Sequence, residues 1–165
     1  MNGLWFRSNK KSTPFSDVVN AIRKASKVEH TIVVGSDSQP TFRGNICVTV
    51  ICILSEDPTN DRHFYYHRTL KPKSKSLYDR MLNEAMTTIM LANSLREDIC
   101  EDLNLELHFD LASSKKGGTF KYTKSLTSIA KGFAFDNIEI KPNSWAASSI
   151  ADKYSKSKRH LRMSI

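Results

Sequence analysis

Two hydrophobic runs in this chain each close on an aspartate: Ile32-Val33-Val34-Gly35-Ser36-Asp37 and Leu105-Glu106-Leu107-His108-Phe109-Asp110. A carboxylate inside a buried strand is costly unless a partner compensates its lost hydration. At the exit of a strand, where the sheet opens to solvent, the same group can face a metal ion. Two such strands side by side would begin a metal site.

A third acid follows from helical phase. At about 100° per residue, Leu77, Met81, Thr88, Leu91, Ala92 and Leu95 share one narrow stripe, and Glu84 lies in its middle. A glutamate on the buried face of an amphipathic helix needs a cation, a hydrogen-bond network or water. The plainer reading pairs Glu84 with Arg80 one turn earlier. The metal-facing reading is preferred, because phase and strand position are independent arguments. Asp152, in Trp145-Ala146-Ala147-Ser148-Ser149-Ile150-Ala151-Asp152-Lys153, falls on the polar side of a short helix. By itself it reads as an exposed partner of Lys156; the other three acids promote it. Four hard oxygen donors without a His/Cys quartet suit Mg²⁺ or Mn²⁺ rather than zinc.

The elements that must position these acids can be read along the chain. Residues 1–14 read as an irregular arm. A helix is expected to about Lys27, capped by Ser16 or Asp17, with Val18, Val19, Ile22 and Ala25 as its apolar face. Strands are expected at about 30–36, 46–54, 63–69, 103–110 and 138–140, and helices at about 77–98, 120–132 and after Pro142-Asn143-Ser144. Short turns, among them Asp57-Pro58-Thr59-Asn60, make the first three strands an antiparallel meander. A right-handed crossover then sets strand four beside strand one. The expected fold is α/β: a mixed five-stranded sheet in the order 3-2-1-4-5, strand 2 antiparallel, flanked by helices. Asp37 and Asp110 then share the switch point between strands one and four, where open sheets bind ligands. One domain is expected over residues 15–156, followed by a basic tail at 157–165.

The chain has 165 residues and a formal charge of +8, with a pI near 9.5. That size suits one domain with a real core, and that charge favours an anionic partner, nucleic acid first. Cys47, Cys52 and Cys100 follow no metal or redox spacing and fit a reducing compartment. No apolar run is long enough to span a bilayer, so a soluble, cytoplasmic protein is expected.

The order of these acids resembles that of ribonuclease H-like proteins. More narrowly, Gly35-Ser36-Asp37-Ser38-Gln39, Leu107-His108-Phe109-Asp110 and Lys141-Pro142-Asn143-Ser144-Trp145-Ala146-Ala147-Ser148 with Ala151-Asp152-Lys153 are similar to the YkuK-like family of predicted ribonuclease H-related nucleases, over about residues 28–156. The loop from Asp110 to Lys116 departs from it by lacking an early Asn. The resemblance implies a ribonuclease H-like fold and a nuclease hydrolysing phosphodiester bonds of RNA, DNA or a hybrid. Two metal ions would clamp the attacking and leaving oxygens. Asp37 would bridge them, with Glu84 and Asp110 completing one ion's ligands and Asp152 holding the other. The alternative is a nucleic-acid-binding module that keeps the fold without turnover.

Around these acids stand residues with lesser roles. Lys115, Lys116, Lys121 and Lys124 near the strand-four exit, and Lys153, Lys156, Lys158, Arg159 and Arg162 toward the end, could hold a phosphate backbone. His108 shares the face of Asp110 and, with Ser148, is a candidate to support the acids by hydrogen bonds, although a satisfied core histidine is as good a reading. His63 and His67 share one strand face without further support for a metal. Trp145 is better read as packing than as base stacking. Gly35, Gly117 and Gly118 would let backbone approach a phosphate.

Overall fold

The β-branched run Ile46-Cys47-Val48-Thr49-Val50-Ile51-Cys52-Ile53 can bury side chains on both sides of a strand, and it lies inside the sheet. The computed structural model describes residues 3–55, 63–99 and 103–156. The turn at Asp57-Pro58-Thr59-Asn60, Cys100, Lys158, Arg159 and Arg162 lie outside the described residues. Among those described, the elements are β1 (Trp5–Arg7), β2 (Ser12–Thr13), α1 (Phe15–Ser26), β3 (Thr31–Thr41), β4 (Gly44–Leu54), β5 (His63–Lys71), α2 (Leu77–Ile99), β6 (Leu105–His108), α3 (Phe120–Gly132) and β7 (Ile138–Glu139). A π-helical segment (Ala146–Ala151) then runs into a last turn, α4 (Asp152–Ser155).

The sheet order is β2-β1-β5-β4-β3-β6-β7. The β3/β4, β4/β5, β1/β5 and β1/β2 pairs are antiparallel, while β3/β6 and β6/β7 are parallel. The five expected strands stand in the expected order as β5-β4-β3-β6-β7. The sheet nevertheless has seven strands, not five, because the arm read as irregular supplies β1 and β2. Trp5 is the reason. Its ring is fully buried, stacking on Phe15 at 5.4 Å and on His67 at 5.3 Å. This pairing also covers the outer edge of β5, which would otherwise be exposed. His67 is used up in it, its Nδ1 lying 2.9 Å from the Leu4 carbonyl oxygen.

Strand alternation divides the core between two faces. Ile32 and Val34 of β3 pack with α1, α2 and α3 through Val18, Ile22, Ile89, Leu95 and Leu126. Val33, Val48, Val50 and Cys52 face the other way, against Ala146 and Ala151 of the π-helical segment. The α2 stripe is buried as phase requires, with Met81, Glu84, Thr88, Leu91, Ala92 and Leu95 inward. Leu77 is the exception, 39% exposed in the first turn of the helix. Helix α1 begins at Phe15, with Pro14 rather than Ser16 or Asp17 in the cap position. Among the described residues no helix is long and apolar enough to cross a membrane.

Candidate functional site

Asp37 does not end its strand. β3 runs on to Thr41, paired with β4 throughout, Asp37 opposite Val48. What ends is the parallel pairing with β6, which covers only Ile32 to Gly35. The exit expected from the sequence is therefore the mouth of the β3/β6 pair, and Asp37 sits just beyond it. Asp110 follows β6 by two residues, at the same mouth.

Alternation along β3 sends Ser36 and Ser38 toward α2 and Asp37 toward α4. The Ser38 hydroxyl donates to Glu84 Oε1 at 2.5 Å, and Thr88 Oγ1 donates to Ser36 Oγ at 3.0 Å. On the opposite face, the Ser155 hydroxyl donates to Asp37 Oδ2. Asp37 and Glu84 are each only 7% exposed. Glu84 and Asp110 line one small cavity with Ser36, Met81 and Phe109. The Glu84–Arg80 pairing exists, at a loose 4.0 Å.

The two outer acids are held by lysines. Asp110 Oδ1 stands 2.7 Å from Lys141 Nζ, an ion pair whose angles fall short of a hydrogen bond. Asp152 Oδ1 is 2.6 Å from Lys156 Nζ, the local pairing its phase suggested. The four acids thus have four different partners, Ser155, Ser38, Lys141 and Lys156. Sequence reasoning gave no role to the first three. Ser155 had one usable signal, its place one turn after Asp152; Lys141 had only its position at the head of the last motif.

The electrostatics show how the acids feel one another. Burial raises the Asp37 carboxyl above its ordinary value; the Ser155 hydrogen bond opposes this, and the charges of Asp110 and Asp152 add to it. Burial also pushes Glu84 up to about 8, the Ser38 hydrogen bond and Arg80 opposing, Asp37 and Asp110 reinforcing. The Lys156 ammonium is held above the usual lysine value by its bond to Asp152, with Asp37 and Asp110 contributing. Among the described residues, no three His, Cys, Asp or Glu side chains stand close enough to form a ready-made metal cage. The donor set itself fits a hard divalent cation: oxygen ligands, two of them buried carboxyls whose ionised form is disfavoured by desolvation and would be favoured by a nearby cation.

The supporting residues fall out differently from expectation. His108 is fully buried, and its ring nitrogens are engaged by groups other than the four acids. Its Nδ1 accepts the Ala146 backbone N–H at 3.1 Å, which assigns the ring proton to Nε2, 2.5 Å from Glu106 Oε1. Trp145 packs edge-on against this ring at 5.0 Å. His108 therefore ties β6 to the start of the π-helical segment that leads to Asp152. Ser148 donates to the Ser144 carbonyl oxygen at 2.9 Å rather than to an acid. Gly35 serves packing: a Cβ there would stand 2.9 Å from the Ala147 nitrogen, so Gly35, Ala146 and Ala147 let the segment's backbone rest on β3. Gly117 is likewise crowded by the Ala112 side chain, whereas Gly118 faces open space. Lys115, Lys116, Lys121, Lys124 and Lys153 are all exposed.

The chain matches the family model described as Ribonuclease H-like over residues 13–156. It has no match among the curated proteins and none among the solved structures.

Proposed function

The chain belongs to the ribonuclease H-like family, and from that footing we propose that it is a divalent-metal-dependent nuclease hydrolysing phosphodiester bonds of RNA, DNA or an RNA/DNA hybrid. The observation that carries this reading is the pair of buried carboxylates, Asp37 and Glu84, supplied by two elements and lying on either side of β3, with Glu84 raised further by the charge of Asp37 and Asp37 by those of Asp110 and Asp152. A fold keeps such a pair at a cost in stability, and a bound cation relieves it.

Asp37, Glu84, Asp110 and Asp152 would hold two Mg²⁺ or Mn²⁺ ions, which when bound supply charge stabilisation at the attacking and departing oxygens. The chain's own groups do the positioning. The Ser155 hydroxyl fixes Asp37 Oδ2 and the Ser38 hydroxyl fixes Glu84 Oε1. His108, locked between Glu106 and Ala146, sets where the helix bearing Asp152 begins. Lys141 and Lys156 neutralise Asp110 and Asp152 until a cation takes those carboxylates, and their ammonium groups are then available to substrate phosphates.

Purified protein with Mg²⁺ or Mn²⁺ should cleave a polynucleotide, and Asp37→Asn should abolish the cleavage. Wild type as inert as the variant on single strands, duplexes, hybrids and branched DNA, with both metals, would overturn the reading. The lysine-held Asp110 and Asp152 favour a second reading, a nucleic-acid-binding module without turnover. Such a protein would bind equally well in EDTA and in Mg²⁺, and Asp37→Asn would leave its affinity unchanged.

A further inference from the structure

The β3–β4 hairpin runs four residues beyond Asp37, which carries its tip about 13 Å past that residue. The turn is closed by Thr41 Oγ1 donating to the Gly44 carbonyl oxygen at 2.7 Å. At its apex the Phe42 ring is 85% exposed, the most exposed large apolar side chain among the described residues. The core does not use it. The Arg43 guanidinium lies over the ring, 5.1 Å from its centroid, and leaves the rest of the ring open.

The tip is set among cations. Beside it, a cleft of ≈ 270 Å³ is lined by Lys71, Lys73, Lys75, Asn45 and Ser74, and it reaches Ser38, the residue that holds Glu84. The acid in this cleft, Asp79, is already engaged: its Oδ2 accepts the Lys75 N–H at 2.8 Å, and its Oδ1 accepts from Asn83 at 3.2 Å. A protein-docking patch wants contiguous apolar area and is depleted in lysine. One exposed aromatic ring rimmed by arginine and lysine instead suits an anionic strand carrying planar bases.

We propose that Phe42 and Arg43 form a stacking clamp for an unpaired nucleobase, on a strand whose backbone follows the Lys71–Lys75 cleft toward the acids. The proposal rests on the nuclease reading and narrows its substrate to polynucleotides with an unpaired stretch, because a base inside a duplex already has both faces covered.

The test is fluorescence anisotropy in EDTA with end-labelled single strands and the matching duplex, for wild type, Phe42→Ala and Phe42→Trp. A ring this exposed can be removed without disturbing the core, so all three should melt together. Loss of one stacked base should weaken single-strand binding by about 5- to 150-fold and leave duplex binding unchanged, while Phe42→Trp restores it. An aminopurine-containing strand should be quenched by wild type and not by Phe42→Ala. Equal single-strand affinity of wild type and Phe42→Ala would overturn the clamp alone, whereas wild type that binds no polynucleotide would overturn the nuclease reading with it. If Phe42→Ala changes only the sedimenting mass, the tip is a contact between copies of this chain and the clamp is wrong.

Discussion

Glu84 offers the sharpest single perturbation, because its burial has a cost that pH can titrate. Its carboxyl is pushed from 4.5 to about 8 in the fold, chiefly by desolvation. Below pH 4.5 the group is protonated in both states and costs nothing. As pH rises from 4.5 to about 8, the unfolded chain gives up this proton and the fold retains it, so stability falls by about 1.36 kcal/mol per pH unit. The loss reaches roughly 3 kcal/mol at neutral pH and levels off between 4 and 5 kcal/mol above pH 8. Glu84→Gln keeps the shape and removes the titration. In EDTA its urea midpoint should exceed that of wild type by an amount that grows from pH 5 to pH 8, with an unchanged m-value. Saturating Mn²⁺ should then raise the wild-type midpoint at pH 8 and leave that of Glu84→Gln nearly unmoved. A difference between the two proteins that stays flat with pH would refute the reasoning, since it would mean that Glu84 ionises as freely in the fold as in the open chain.

Three further outcomes follow from the contacts around the acids. Ser155→Ala removes the hydroxyl bonded to Asp37, so apo stability should fall by about 1 kcal/mol in urea titration, and Mn²⁺ affinity by calorimetry should weaken. Gly35→Ala drives a methyl into the Ala147 backbone and should cost about 1–3 kcal/mol, read as a lower melting temperature. His108→Leu leaves the Ala146 N–H without its acceptor and should cost about 1–3 kcal/mol; a variant equal to wild type would show that the ring does not tie β6 to the last helical segment.

The arrangement of elements was largely legible because each carries a local signal. The run at 46–54 is rich in β-branched residues, the α2 stripe repeats at helical spacing, and the loops hold Gly, Pro and Asn. The sheet edge was missed because β1 and β2 are only three and two residues long, too short for alternation to register. Their warrant is the burial of one side chain, Trp5, against residues far along the chain. Among the acids, Glu84 could be placed inward from phase alone, because a helix fixes direction by arithmetic. Asp152 could not, since its own turn offers Lys156 as a sufficient partner.

The sequence by itself determined the strand order of the central sheet and the inward turn of Glu84, because hydrophobic period, turn chemistry and crossover handedness are local properties of the chain. Only the tertiary structure decided that β3 continues past Asp37, that serines grip the two buried acids while lysines hold the outer two, and that His108 is a tie rather than a helper. Those outcomes depend on which residues of distant segments meet across the sheet, and β6 simply stops pairing sooner than its neighbour. No spacing along a single strand records where its partner ends.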